Sequence, residues 1–237
     1  MSDLWTMIWK EAKDLLFRDR WVGLILPLLF IGILGIILPW LVGLQWLALP
    51  AGGMLVVLYI PFLFVSSFIG DAIAGERERH TLETLLASRM PDRVILLGKV
   101  IATVGYAWGM AVVSLLLGVI WENLLNGNGS WTFYYPFDLF LEWLALTLVV
   151  ILLAANAGVL ISLHVATVRQ AQQILQVGTL VLVIAALLVL RALPENALAA
   201  LSYSQIMLIA IAIVAILDAI LLGLALVSFQ RSRLILS

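Results

Sequence analysis

Residues 139–163 read LFLEWLALTLVVILLAANAGVLISL, an apolar run of 25 positions in which Glu142 is the only charged residue. A helix of that length rises about 37 Å, which exceeds the hydrocarbon core of a bilayer, roughly 30 Å thick. No face of such a helix is polar enough to meet water. The stretch therefore predicts a membrane-spanning helix.

The rest of the chain has the same character. Its 237 residues are 64% hydrophobic and 11% charged, and their mean hydropathy is +1.16. These values exclude a soluble domain with a water-facing surface. The absence of cysteine excludes disulfides, thiolate metal sites and cysteine nucleophiles. A net charge of −1, with the bases concentrated beside apolar segments, gives no reason to expect a nucleic-acid partner.

Six apolar segments are long enough to span a bilayer. They are Trp21 to Leu44, Gly53 to Ala74, Val94 to Ile120, Leu139 to Leu163, Ile174 to Leu193, and Gln205 to Phe229. The uncharged break between the first two is the weakest division. We interpret Glu122 to Phe137 as an interfacial loop, and Arg191 to Ser204 as either a re-entrant half-helix or a plain polar turn. The sequence thus predicts one all-α transmembrane domain over residues 1–237.

The N-terminal residues 3–20 predict an amphipathic helix on the membrane surface. Leu4, Trp5, Ile8 and Ala12 recur near helical spacing, with charged residues between them. Such a helix either anchors the chain in lipid or grips a partner, and the two roles are compatible.

The placement of Lys and Arg sets the orientation. If both termini are cytoplasmic, twelve of the thirteen bases lie inside and Arg191 alone lies outside. This asymmetry agrees with the positive-inside rule. It also supports six spans, because merging the first two would separate the two most basic segments. We expect a multi-pass protein of a bacterial-type inner membrane.

The longest cytoplasmic segment, residues 75–93, holds most of the organised polarity. The Thr81 hydroxyl is placed to cap a short helix that carries Glu83 in its first turn and ends before Pro91. Leu82, Leu85 and Leu86 form one apolar edge of that helix, suited to a groove on another protein. The alternative is that the run from Glu76 to Arg79 is a solvated charge run beside the membrane.

This segment resembles the signature of ABC-2-type permeases, the membrane subunits of type-2 ABC exporters. In this family the segment commonly has the sequence A-G-E-R-E-x-G-T-L-E-x-L-L, where x is any residue. The matching residues are Ala74, Gly75, Glu76, Arg77, Glu78, Thr81, Leu82, Glu83, Leu85 and Leu86. Gly98 and Lys99 follow at the head of the third span. Together with six spans and an amphipathic N-terminal helix, the resemblance covers the whole chain.

The resemblance implies a permease that is driven by a separate ATPase. The N-terminal helix and residues 75–86 would contact a dimer of nucleotide-binding subunits, which would hold ATP and Mg²⁺. A second permease subunit, identical or homologous, would help to line the pathway. The chain itself would carry no cofactor, no metal and no catalytic residue. Where the family usually has glycine this chain has His80, which removes the need for a positive φ, so we expect a different turn before Thr81.

Polar residues within the spans are the other candidates. Asp218 lies near the middle of the sixth span, where an unpaired carboxylate costs about 3 kcal/mol. It either lines the pathway, pairs with another subunit, or stays protonated in a helix contact. Asn156 is a weaker pathway candidate, and Gln205 is expected to join helices.

Two other classes of function compete with a permease. A secondary transporter would show repeated halves with broken helices, and no convincing repeat is present. A scaffold subunit that transports nothing is the other alternative. The chain lacks a phosphate-binding loop, because Gly98 and Lys99 are followed by Val100 and position 93 is arginine. Neither the substrate nor the choice between a homodimer and a heterodimer follows from the sequence.

Overall fold

The computed structural model of the chain describes residues 2–17, 22–43, 65–66, 68–70, 74–81, 89–126, 137–192 and 202–229. Every regular element within these ranges is helical. The main helices are α1 (Ser2–Phe17), α2 (Val22–Gly32), a π-helical turn (Ile33–Ile37), α3 (Leu38–Val42), α4 (Asp92–Asn126), α5 (Phe137–His164), α6 (Val168–Ala192) and α7 (Tyr203–Ser228).

Three of the described helices are long and apolar enough to cross a bilayer, over Asp92–Leu125, Phe140–His164 and Ser204–Ser228. They coincide with the third, fourth and sixth predicted spans. The first predicted span corresponds to α2, the π turn and α3 in succession. Most of the second lies outside the described residues, so the count of six stays a prediction. The chain is a helical membrane protein.

The outer faces of these helices support a lipid surrounding. On α7, Ile213, Ile216 and Ile220 are 55%, 62% and 55% exposed. A soluble protein rarely leaves such a continuous apolar surface in water. Lipid tails would cover it without a penalty. The buried core lies instead where α4, α5 and α7 meet, around residues such as Val100, Ile151 and Ala225.

The N-terminal helix α1 has the predicted amphipathic pattern, and it packs across the start of α4. Met7 is its most buried side chain, whereas Trp5 is 67% exposed although we predicted it on the apolar face. The close approach depends on Gly98, because a Cβ there would lie 2.9 Å from the Met7 Cβ. Gly98 thus lets α1 contact α4 directly.

The first predicted span is a nearly continuous helix with a π turn at its centre. Pro27 lies inside α2 and Pro39 at the start of α3. Gly35, within the π turn, faces α4 so closely that a Cβ would lie 2.9 Å from the Ser114 carbonyl oxygen. Small residues commonly allow such approaches between membrane helices. The chain ends this span at Gly43, whose φ of 66° favours glycine.

The predicted interfacial loop from Glu122 to Phe137 begins too early. The helix α4 continues to Asn126, just before the sequence Gly-Asn-Gly, and it buries Glu122 and Asn123. Glu122 is only 1% exposed. Packing inside the bundle thus outweighs the polarity that marked this residue as the start of a loop. Residues 127–136 lie outside the described part of the chain.

We expect Gly35→Ala to destabilise the protein. The added methyl group would meet the backbone of α4, which does not move as a flexible side chain can. Overpacking of this kind costs about 1–3 kcal/mol. Gly32→Ala is the matched control, since a Cβ at Gly32 meets nothing within 4 Å. Thermal unfolding in detergent should give a lower midpoint for Gly35→Ala only, and equal midpoints would contradict this packing.

Candidate coupling site at one end of the bundle

A helical turn over residues 74–78 opens the predicted coupling segment. It ends in a Schellman motif: the Thr81 amide donates to the Glu76 carbonyl (2.9 Å), and the His80 amide donates to the Arg77 carbonyl (3.1 Å). His80 reverses the chain direction with a φ of 56°. Its backbone therefore lies in the left-handed region that glycine adopts most easily.

Our expectation that histidine removes the need for a positive φ at this position is wrong. The two Schellman hydrogen bonds form only when this residue is left-handed, whichever side chain it carries. Glycine adopts that conformation without a clash between its Cβ and the following carbonyl oxygen, whereas for other residues the clash costs about 1–2 kcal/mol. His80 therefore adopts this turn in a more strained form than glycine would.

A buried lysine connects three separate parts of the chain at this end. Lys99, in the second turn of α4, is 5% exposed. Its ammonium nitrogen lies 3.0 Å from Glu11 Oε1 on α1 and 3.4 Å from Glu76 Oε1 in the coupling segment. Both carboxylates are largely shielded from solvent, with side chains 14% and 16% exposed. The lysine thus joins α1, α4 and the coupling segment.

Glu76 is held in its charged form by this environment. Partial burial raises the pKa of its carboxyl, but the hydrogen bond from Thr81 and the positive charges of Lys99 and Lys10 lower it by more. The net pKa lies below the ordinary value for glutamate. The Thr81 hydroxyl contacts the Glu76 carboxylate and also lies 3.3 Å from its backbone carbonyl. Glu76 is therefore an anion at neutral pH.

Arg77 binds the C-terminal end of α5. Its guanidinium donates to the Val165 carbonyl at 2.9 Å and to the Leu163 carbonyl at 3.3 Å. The last carbonyls of a helix lack partners within the helix and carry the negative end of its dipole. A cation there both satisfies these acceptors and complements the dipole.

Glu78 binds the start of the next helix. The Val168 amide, at the first residue of α6, donates to Glu78 Oε1 at 2.9 Å. The first amides of a helix lack partners within the helix and form the positive end of its dipole. The Glu78 carboxylate thus caps the start of α6, a role that the side chain of the N-cap residue usually has.

Ser162 ties the base of the segment to α5. Its hydroxyl accepts from the Ala74 amide at 2.8 Å and donates to the Gly70 carbonyl at 3.2 Å. Ala74 also packs against Val165 and Ala171 in a small buried cluster. The approach to the coupling segment is therefore fixed to the end of α5 and the start of α6.

Comparison with known proteins bears on this arrangement. The sequence model of a family described as ABC-2 type transporter matches residues 2–213. The chain belongs to this family. It is a membrane-embedded permease component of an ABC transporter, a type of subunit that is normally not catalytic itself. The family also implies association with an ABC ATPase subunit. No curated protein gives a significant match.

The structure of this ABC-2 chain brings part of the predicted site together. Glu76, Arg77, Glu78 and Thr81 all form contacts within the protein. Of the charge run from Glu76 to Arg79, Glu76 and Arg77 are partly buried, so they are not simply solvated, whereas Glu78 and Arg79 are exposed. Gly75 is buried at the base of the turn. Four predicted residues lie outside the described part of the chain, namely Leu82, Glu83, Leu85 and Leu86. Their roles, like those of the whole predicted set, stay predictions.

Three participating residues were missed as members of the site. Lys99 was noted only because it follows Gly98, Glu11 only as a polar residue of the N-terminal helix, and Ser162 not at all. The signal for Lys99 was available: a lysine among apolar residues near the start of a span needs an anion. The sequence did not indicate which anion.

Two predicted pathway residues of the ABC-2 chain contact each other. Asn156 on α5 donates through Nδ2 to Asp218 Oδ1 on α7 at 2.6 Å. The side chains are 2% and 8% exposed, so they lie between the two helices. The pair is a contact between two helices, and the choice among the three roles predicted for Asp218 stays a prediction.

Gln205 does not join helices as expected. Gln205 is exposed and forms a capping box with Ser202 at the start of α7. In this box the backbone N–H of Gln205 donates to Ser202 Oγ at 3.3 Å. The reciprocal bond runs from the Ser202 amide to Gln205 Oε1 at 2.9 Å. The serine followed three residues later by glutamine is a known start signal for a helix. The nearby Ser204 hydroxyl instead contacts the Glu142 carboxylate and joins α7 to α5.

We expect Lys99→Met to destabilise the protein strongly. Methionine preserves length but leaves two shielded carboxylates without their common cation, which costs about 3 kcal/mol. Lys10→Met is the control, because Lys10 is half-exposed and lies 3.7 Å from Glu11, and pairs of that kind contribute at most about 1 kcal/mol. Thermal unfolding in detergent measures both variants, and equal losses would contradict a special role for Lys99.

We expect His80→Gly to stabilise the protein by about 1 kcal/mol, because glycine adopts the left-handed conformation without strain. His80→Ala controls for loss of the imidazole and retains the Cβ, so it should not stabilise. Unfolding midpoints of the three proteins provide the measurement. A gain in both variants would show that the side chain, rather than the backbone, is responsible.

Proposed function

We propose that this chain is the permease subunit of an exporter in a bacterial-type inner membrane. Both termini are cytoplasmic, a separate pair of ATPase subunits binds ATP and Mg²⁺, and a second permease subunit, identical or homologous, completes the pathway. ATP-driven closure of the ATPase pair switches the permease between inward-facing and outward-facing states.

The observation that carries this proposal is the position of Lys99. It binds Glu11 on α1 and Glu76 in the coupling segment, the two elements that the family resemblance assigns to the ATPase contact. Because Lys99 is itself part of a spanning helix, force on either element reaches the membrane directly. The membership of the chain in the ABC-2 family supports the same reading.

Each family-motif residue has a defined place in the proposal. Glu76, Arg77 and Glu78 hold the segment to the bundle, while Gly75 provides a tight base. Thr81 stabilises the turn through Glu76. The leucine edge of Leu82, Leu85 and Leu86 lies on a helix that Thr81 caps and that carries Glu83 in its first turn, and this edge docks into a groove of the ATPase subunit.

In this proposal, the charged residues hold the segment to the bundle and the leucine edge binds the ATPase subunit. A substitution in the leucine edge therefore tests ATPase binding alone. We expect Leu85→Asp to abolish co-purification with an ABC ATPase subunit co-expressed from the adjacent gene. Removing a buried leucine from an interface costs about 2–3 kcal/mol, which corresponds to a loss of affinity of tenfold or more. Leu85→Met keeps volume and apolarity, so it should co-purify normally.

Membrane insertion provides the internal control for this experiment. Leu85→Asp should give the same yield and the same size-exclusion profile in detergent as the unmodified chain, since the proposal assigns Leu85 to the ATPase contact and not to the bundle. Unchanged co-purification of a correctly inserted Leu85→Asp variant would overturn the docking assignment.

A further inference from the structure

We infer that Arg77 and Glu78 transmit the motion of the coupling segment to the turn between α5 and α6, residues 165–167. On this view the fourth and fifth predicted spans move together with the segment when the ATPase closes. The inference rests on the proposed function, because it concerns how an ATP-driven motion spreads through the subunit. Arg77 and Glu78 are positioning residues rather than contacts to substrate.

The geometry of the two side chains supports this role. They are neighbours in sequence, yet one binds the end of α5 and the other binds the start of α6. Three hydrogen bonds, of 2.9, 3.3 and 2.9 Å, join them to the turn. Each involves a charged group and an unpaired helix end, which makes these bonds stronger than neutral ones.

Tight packing adds to the polar contacts. Ala74 and Ala171 are fully buried, and Val165 is 6% exposed within the same cluster. A Cβ at Gly70 would lie 3.4 Å from the Ala171 Cβ. Packing at this density leaves the turn little freedom to slide against the segment.

The connection is not a result of chain continuity. The hydrogen bonds link residues 86–90 positions apart in the sequence. Without them, motion of the segment would reach α5 and α6 only through the Ser162 hydrogen bonds and the packing around Ala74 at the base of the segment. Two adjacent charged residues thus offer a direct route from the segment to a helix pair that the chain reaches much later.

Single labelled cysteines test this route. The chain contains no cysteine, and Ala166 and His80 are exposed. A spin label at either position therefore reports on the turn or on the segment without background. The mobility of each label is measured by electron paramagnetic resonance in the full assembly with its ATPase subunit, first without nucleotide and then trapped with ATP and vanadate.

We expect both labels to respond to trapping in the otherwise unmodified assembly. With Arg77→Ala and Glu78→Ala together, the label at His80 should still respond and the label at Ala166 should lose most of its response. Arg169→Ala is the control for loss of a charged side chain near the turn, because this exposed arginine lies in the first turn of α6. It should leave both responses unchanged.

Milder variants guard against a folding defect. Glu78→Gln keeps an acceptor for the Val168 amide and Arg77→Lys keeps the charge, so each should retain part of the Ala166 response. If the response at Ala166 survives fully in the double alanine variant, the inference is overturned and the proposed function stands. If neither label responds in the unmodified assembly, the proposed function fails and the inference falls with it.

Discussion

A single buried ammonium group sets the arrangement of α1, α4 and the coupling segment in this subunit. Lys99 lies within an apolar helix, where a charge without a counter-ion is too costly to keep. Its two anions come from separate parts of the chain, Glu11 from α1 and Glu76 from the helical turn over residues 74–78. Moving either element away would separate a shielded carboxylate from the lysine. The position of the coupling segment is thus fixed electrostatically before any partner binds.

The motif of this ABC-2 chain acts inward as well as outward. Its charged residues neutralise a lysine and bind the ends of two helices, which are contacts of structure rather than of solvation. On the proposed function, the leucines that follow are the part of the motif that binds the ATPase subunit. Within one motif, the charged residues thus hold the segment to the membrane helices, while the leucines are proposed to bind the partner. The two groups of residues need different experiments.

The sequence predicted the spans better than their contacts. Uninterrupted apolarity was sufficient for α4, α5 and α7, and helical spacing was sufficient for α1. Glu122 was misleading because packing within the bundle overrides polarity. The Lys99 cluster joins residues 23 and 88 positions apart, and no local pattern encodes such a pairing. The φ of His80 followed from backbone geometry that residue identity does not reveal.

The order of Arg77 and Glu78 in the motif has a physical origin. The chain finishes α5 before it begins α6, so the negative end of one helix and the positive end of the next lie side by side at the turn. A pair of opposite charges that faces this turn can match it in only one direction. Arg77 binds the negative end of α5 and Glu78 binds the positive end of α6, so the order Arg-Glu matches the dipoles of the two helices. The order Glu-Arg would place an anion at the negative end of α5 and a cation at the positive end of α6.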